Sequence, residues 1–215
     1  MRKRNMQFFV CLILLSTILV VALSMRFDDS RNVWANYTNN DQPIVKKDVG
    51  DKSSKVLIKV KKLSQFPDLP TGCEITATTM LFNFKGVKIT NTELARVIPY
   101  APNGDMESGF WGNPFDGTGY TMYPPAWRDV FLKYVGSFQD LSSSSIKTIK
   151  QKLKAGKPVV AWISYHYQPA HCVLLTGYDK DNLIFNDPYT GEQDHLSYEV
   201  FWKKYANQGY RAMTY

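Results

Sequence analysis

Cysteine and histidine are scarce in this chain, which has three of each among its 215 residues. The cysteines are Cys11, Cys73 and Cys172, and neither they nor the histidines show the Cys-x-x-Cys or His-x-x-x-His spacing of a metal site. The sequence also contains no internal repeat, which argues against a solenoid or propeller. We therefore predict chemistry that needs neither a metal nor an organic cofactor.

The formal net charge of +7 does not indicate a nucleic-acid partner. Four of the positive charges, on Arg2, Lys3, Arg4 and Arg26, precede every acidic residue, and beyond them 22 basic residues stand against 19 acidic ones. Nucleic-acid binding usually requires a clustered basic face rather than so small an excess. We expect no nucleic-acid partner.

Residues 1–25 have the layout of an export segment. Three basic residues near the N-terminus precede an uncharged, mostly apolar run of 18 residues, Phe8 to Met25. This run is long for the apolar part of a cleaved signal peptide and short for a helix that spans a bilayer, so both a signal peptide and an N-terminal membrane anchor remain open. Because the basic residues favour the cytoplasmic side, we predict an extracytoplasmic protein, either secreted or membrane-bound only through this segment.

The rest of the chain divides into a polar linker and one folded domain. Residues 26–55 are rich in Asn, Asp and Lys and lack a sustained apolar period, as is typical of a tether. Residues 56–215 contain enough apolar and aromatic side chains for one core. Helical patterns come first and an antiparallel sheet follows, so the predicted fold class is α+β.

The first predicted helix begins at about Cys73, because Ala77, Met80, Leu81 and Phe84 have the spacing of one buried helical face. A long loop rich in Gly, Pro and aromatic residues is predicted for Pro99–Pro125. The remaining predicted helices are Thr90–Ile98 with a capping box, Trp127–Tyr134, Ser145–Ala155 and Phe201–Tyr205, and the strands are Val56–Lys61, Pro158–Ser164, His171–Tyr178, Asn182–Asn186 and Gly209–Thr214.

Cys73 is the candidate nucleophile. Pro70 and Gly72 interrupt the chain just before it, so the thiol is expected at a helix N-terminus, where the helix dipole lowers the pKa of a cysteine. Gly72 leaves the backbone N–H of Cys73 open to an oxyanion, and Gln65 could provide a second donor. Glu74 would oppose thiolate formation unless its side chain points away.

His171 is the candidate base, and its neighbour Cys172 is expected to face the opposite side of the strand, in the core behind the sheet. His171 would accept the thiol proton and later return it to the leaving group. Asp187 lies at the end of the next strand of the same hairpin, where it could hold the other ring nitrogen of His171. Asn186 is the alternative for that position.

Three segments together, Gln65–Glu74, His171–Tyr178 and Asn186–Pro188, resemble the papain-fold cysteine peptidases related to the bacteriocin-leader-processing peptidases, in their stand-alone extracytoplasmic form. The resemblance implies a papain-like fold over about residues 56–215, with Cys73 as nucleophile, His171 as base, Asp187 as the orienting acid and Gln65 in the oxyanion hole. The glutamine of leader-processing enzymes lies closer to the cysteine than eight residues. This chain also lacks their transporter and nucleotide-binding domains, so leader processing is not implied.

The sequence thus predicts an exported thiol hydrolase that cleaves amide bonds in a peptide, protein or cell-envelope substrate. One alternative is a structural disulfide between Cys73 and Cys172, which would leave no nucleophile. Another is a catalytically inactive domain that retains the fold and binds a peptide or envelope component. The sequence leaves the substrate, the choice between hydrolysis and acyl transfer, and the oligomeric state open.

Overall fold

A computed structural model describes residues 55–168 and 170–215 of the chain. The predicted export segment, residues 1–25, and all of the predicted linker except Lys55 lie outside the described residues. Within the described ranges, no helix has both the length and the apolar character needed to cross a bilayer.

The described residues form five helices and seven strands. The helices are α1 (Cys73–Phe84), α2 (Asn91–Ala95), α3 (Pro124–Val135), α4 (Ile146–Lys154) and α5 (Tyr198–Ala206). The strands are β1 (Val56–Leu57), β2 (Gln139–Asp140), β3 (Val159–Ile163), β4 (His171–Tyr178), β5 (Asn182–Asp187), β6 (Glu192–Ser197) and β7 (Ala212–Thr214).

All seven strands belong to one antiparallel sheet. The strand order is β2-β7-β3-β4-β5-β6, and β1 pairs with β4. The hairpin of β4 and β5 pairs Leu174 with Asn186, and its tip is ordered by Asp179, which accepts hydrogen bonds from the backbone N–H groups of Asp181 and Asn182. Because the two strands run in opposite directions, the first residue of β4 lies near the last residue of β5.

Helices cover both faces of the sheet. On one face, Val160, Trp162 and Leu174 pack in a core with residues of α1 and α3. On the other face, Val159, Val173 and the other alternate residues of β3 and β4 pack in a second core with residues of α4 and α5. This alternation is why β3 and β4 are buried along their whole length and read as continuous apolar runs.

Helix α1 is buried on every side rather than along one face. Its residues from Cys73 to Phe82 are all buried, polar ones included. The sheet packs against one side of the helix, and the Phe82 and Phe131 rings meet edge to face at 5.0 Å on the side of α3. A helix surrounded in this way cannot show the apolar stripe of a surface helix, so the predicted single buried face understated its burial.

The predicted α+β order of helices on an antiparallel sheet is confirmed, and several element limits change. The Thr90 capping box is present, but its helix ends at Ala95, short of the predicted Ile98. β1 and β7 are shorter than predicted, and α3 begins earlier, at Pro124. The sequence prediction omitted β2 and β6, because β2 has only two residues and β6 is a polar edge strand without apolar alternation.

Gly177 is expected to be essential for docking β1 onto β4. A Cβ atom at this position would lie 2.2 Å from the carbonyl oxygen of Val56 and 3.1 Å from the Cα of Leu57. We expect Gly177→Ala to lower the free energy of unfolding by about 1–3 kcal/mol, because backbone atoms must shift. Gly117→Ala, where a Cβ atom meets nothing within 4 Å, is the control and should change it by less than about 0.5 kcal/mol. Urea unfolding of both variants measures the difference, and equal stability would contradict the expectation.

Candidate active site

Cys73, His171 and Gln65 line one cleft of about 160 Å³. Cys73 is the first residue of α1 and His171 the first residue of β4, so the ends of two elements bring the thiol and the imidazole to the same opening. Tyr120 from the long loop and Tyr189 from the turn after β5 also line it. A larger cavity of about 470 Å³ lies beside α3 and includes none of the predicted catalytic residues.

The structure places His171 against Asp187. The Nε2 atom of His171 lies 2.8 Å from Oδ1 of Asp187, and both side chains are buried. Burial raises the pKa of Asp187, but the hydrogen bond and charge of His171, with further hydrogen bonds, hold the pKa below its ordinary value. Asn186, the alternative partner, instead donates to the carbonyl oxygen of Val60, and among the described residues no hydrogen bond joins its side chain to His171.

Gln65 is fixed next to this pair by its backbone and side chain. Its backbone N–H donates to the carbonyl oxygen of Pro188 at 2.8 Å, and its Nε2 donates to the carbonyl oxygen of Pro70 at 2.8 Å. The other amide atom, Oε1, is buried without a hydrogen-bond partner. The amide is therefore held in the cleft with one Nε2 hydrogen left to bind another acceptor.

The environment of Cys73 differs from the predicted one. Burial, then the charge and hydrogen bond of Glu74, raise the pKa of the Cys73 thiol well above its usual value. The thiol donates to Oε2 of Glu74 at 3.4 Å, and within the described ranges no hydrogen bond joins Cys73 to His171. The expectation that the helix N-terminus lowers this pKa is therefore wrong for this conformation, because Glu74 points toward the sulfur and the thiol is buried.

Glu74 links the start of α1 to the long loop that the sequence predicted. Its Oε1 accepts hydrogen bonds from the Thr121 hydroxyl and the Met122 backbone N–H, both at 2.8 Å. The same hydroxyl accepts from Nε1 of Trp162 in β3 at 3.1 Å. Burial raises the pKa of Glu74 to about 7, although these hydrogen bonds oppose the shift. The carboxyl next to Cys73 therefore has a pKa near neutral pH.

Cys172 does not lie where the sequence predicted. Its side chain packs in the same core as Cys73, between α1 and the sheet, rather than behind the sheet. Strand alternation does separate it from His171, but the face it occupies is the one that α1 covers. Cys73 and Cys172 are both free thiols in the structure.

Sequence reasoning missed His166 and Tyr189. Nε2 of His166 lies 2.5 Å from Oδ2 of Asp187, and the Tyr189 N–H donates to Oδ1 at 2.9 Å. The ligand atoms of His166, His171 and Asp187 lie within 4.8 Å of one another and could hold a metal ion, a grouping that spacing along the sequence did not indicate. The only indication of His166 in the sequence is its place in the short connection between β3 and β4, which leads directly to His171.

The comparisons with known proteins agree with this architecture. The Peptidase_C39 like family matches residues 57–215, so the chain belongs to that family. The chain is similar to the uncharacterized protein YvpB of Bacillus subtilis (strain 168), with 28% identity and coverage of 66% of this chain and 69% of that protein. It is also similar to the crystal structure of a Bacillus anthracis protein provisionally assigned as a C39-like peptidase, with 26% identity, a TM-score of 0.70, and coverage of 75% of this chain and 97% of that one.

Substitution of Glu74 should change how stability depends on pH. Because the folded-state pKa of about 7 exceeds the ordinary value of 4.5, the bound proton contributes stability that is complete below pH 4.5 and is lost as the pH rises through 7. We expect the free energy of unfolding of Glu74→Gln, relative to that of the wild type, to rise by roughly 3 kcal/mol between pH 4 and pH 8, because the glutamine amide does not titrate.

Urea unfolding at each pH measures this gain. The matched control is Glu107→Gln, which changes a partly exposed carboxylate that pairs with Arg211. If the free energy of unfolding changed with pH in the same way for the wild type and Glu74→Gln, the pKa of Glu74 would not differ between the folded and unfolded states, contrary to the expectation.

Proposed function

We propose that this protein is an exported thiol-dependent hydrolase that cleaves amide bonds in peptide or cell-envelope substrates. The observation that carries the proposal is the buried hydrogen bond between His171 and Asp187, placed in the same cleft as a thiol at the first turn of a helix. An acid that orients an imidazole beside a thiol is the arrangement that nucleophilic catalysis requires. Membership of the Peptidase_C39 like family supports a hydrolase.

In the proposed first step, proton transfer accompanies attack. The raised pKa of Cys73 favours the neutral thiol in the free protein, so His171 takes the proton as the sulfur approaches the substrate carbonyl carbon. Since Nε2 of His171 donates to the carboxylate of Asp187, Nδ1 is left as the nitrogen that accepts this proton. The new imidazolium is stabilised by the Asp187 charge.

The proposed second step breaks the C–N bond. The oxyanion formed on the substrate carbonyl is bound by the backbone N–H of Cys73, one of the helix N–H groups without an intrahelical acceptor, and by Nε2 of Gln65. When the tetrahedral intermediate collapses, the amine leaves with the proton from His171, and an acyl-thioester remains on Cys73. Water, deprotonated by His171, then releases the carboxylic acid and regenerates the thiol.

The proposed location is outside the cytoplasmic membrane. It is supported by the basic residues that precede the apolar run in residues 1–25. In this proposal the membrane contacts the protein only through that segment, and the partner of the folded domain is the peptide or protein substrate.

One observation favours a second function, a catalytically inactive binding domain. The Cys73 thiol donates to Glu74, and burial further disfavours its ionised form. If this arrangement persisted with a ligand bound, the cleft would hold a peptide without cleaving it. Measurements of thiol reactivity and of cleavage separate the two functions.

Substitution of the proposed nucleophile and base should abolish cleavage. We expect Cys73→Ala to remove it completely and His171→Ala to reduce it by about 10²-fold or more, because His171 is the proposed base that takes the thiol proton and later protonates the leaving amine. The control Cys172→Ser, which changes the second buried thiol, should retain cleavage. The assay incubates the full-length chain with a library of blocked decapeptides and identifies new termini by mass spectrometry.

Cleavage that survives in Cys73→Ala would contradict the proposal. Absence of cleavage in the wild type, combined with slow alkylation of Cys73 by iodoacetamide that is the same in His171→Ala, would favour the binding domain instead. Circular dichroism of each variant establishes that the fold is retained.

Gln65 should affect amide cleavage but not alkylation. We expect Gln65→Ala to lower the rate of peptide cleavage by about 10²-fold, because one oxyanion donor is lost. Alkylation of Cys73 by iodoacetamide forms no oxyanion, so its rate should stay within about twofold of the wild type. An equal loss in both reactions would show that Gln65 acts on the thiol itself rather than on the oxyanion.

A further inference from the structure

The carboxylate of Asp187 is shared by two imidazoles. Its Oδ1 accepts hydrogen bonds from Nε2 of His171 and from the Tyr189 N–H, and its Oδ2 lies 2.5 Å from Nε2 of His166. The Asp187 side chain is fully buried, while that of His166 is 25% exposed. His166 therefore closes the side of the carboxylate that faces away from His171.

The ring of His166 is held in place by aromatic neighbours. It stacks on Tyr189 with 4.8 Å between centroids and a 22° interplanar angle, and Tyr165 lies 4.2 Å away on the same turn. His166 and Tyr167 both have left-handed backbones, with φ of 50° and 58°. Consecutive residues other than glycine rarely adopt this conformation, and such strain persists where the surrounding contacts impose it.

We propose that His166 is a positioning residue, which donates its Nε2 hydrogen to Oδ2 of Asp187 and thereby fixes the carboxylate that orients His171. The inference rests on the proposed function. Both oxygens of Asp187 are then bound, so the carboxylate cannot rotate away from the base without breaking a buried hydrogen bond. Without His166, Oδ2 would become an unpaired charged atom at a buried site, which is costly.

The surroundings of His166 support the role of a donor to Asp187. Asp187 and the rings of His171, Tyr165 and Tyr189 face it directly. The Tyr165 hydroxyl is engaged by Asp194 at 2.8 Å, and Lys204 lies 5.2 Å over the Tyr165 ring. Asp187 is thus the acceptor that Nε2 of His166 contacts, and this hydrogen bond contributes to the lowered pKa of Asp187.

Two substitutions separate the hydrogen bond from the ring packing. His166→Phe keeps a ring that can stack on Tyr189 but has no donor, whereas His166→Gln keeps an N–H donor and loses the ring. The control is His195→Gln, which changes an exposed histidine 3.9 Å from Asp194. The measurement is the alkylation rate of Cys73 by iodoacetamide in the full-length chain, resolved by residue with mass spectrometry from pH 4 to 9.

If His166 positions Asp187, His166→Phe should slow alkylation at pH 7 by about tenfold and move the acidic limb of the profile to higher pH, because loss of the His166 hydrogen bond raises the pKa of Asp187. His166→Gln and His195→Gln should stay within about threefold of the wild type. If His166→Phe unfolds, as judged by circular dichroism, His166→Leu is the second donor-free variant.

Wild-type kinetics in His166→Phe would overturn the inference, and so would an equal loss in His166→Gln, which would assign the effect to ring packing. Neither result affects the proposed function, which in this assay fails if alkylation of the wild type is slow and unchanged in His171→Ala. That failure would remove the inference as well.

Discussion

The buried carboxylate of Asp187 is the group on which the site depends. It forms hydrogen bonds with His171, the first residue of β4, and with His166 in the turn between β3 and β4. The next residue, Pro188, accepts a hydrogen bond from Gln65, which lies in the segment that leads into α1. A carboxylate without solvent must be satisfied by donors, so its burial requires these segments to converge. The cleft is therefore a product of the same hydrogen bonds that make burial of Asp187 tolerable.

Glu74 is a second buried carboxyl, and its environment has the opposite effect. Imidazole donors hold the pKa of Asp187 down, whereas burial raises that of Glu74 to about 7. Two carboxyl groups whose pKa values are separated by their environments are characteristic of sites that transfer protons. Glu74 also joins Cys73 to the long loop through Thr121 and Met122, so a movement of that loop would change the surroundings of the thiol.

The part of the site that rests on local geometry was predictable from the sequence. The β4 and β5 pattern predicted a hairpin, and a hairpin places the first residue of one strand near the last of the other, which is why His171 and Asp187 could be paired. The Thr90 capping box was equally local. The orientation of Glu74 depends on a loop 47 residues later, and the contact of His166 depends on a turn of unusual backbone conformation. Neither has a periodic signal, so the hydrophobic pattern of the sequence could not predict them.

The position of β7 has a consequence for biosynthesis. This strand follows every other described element in sequence, yet it lies between β2 and β3 inside the sheet rather than at its edge. The sheet that supports β3, and through it the start of β4, is therefore incomplete until residues 212–214 have been made and inserted. The cleft that includes His171 therefore gains its full structural support only after the rest of the described domain has been synthesised.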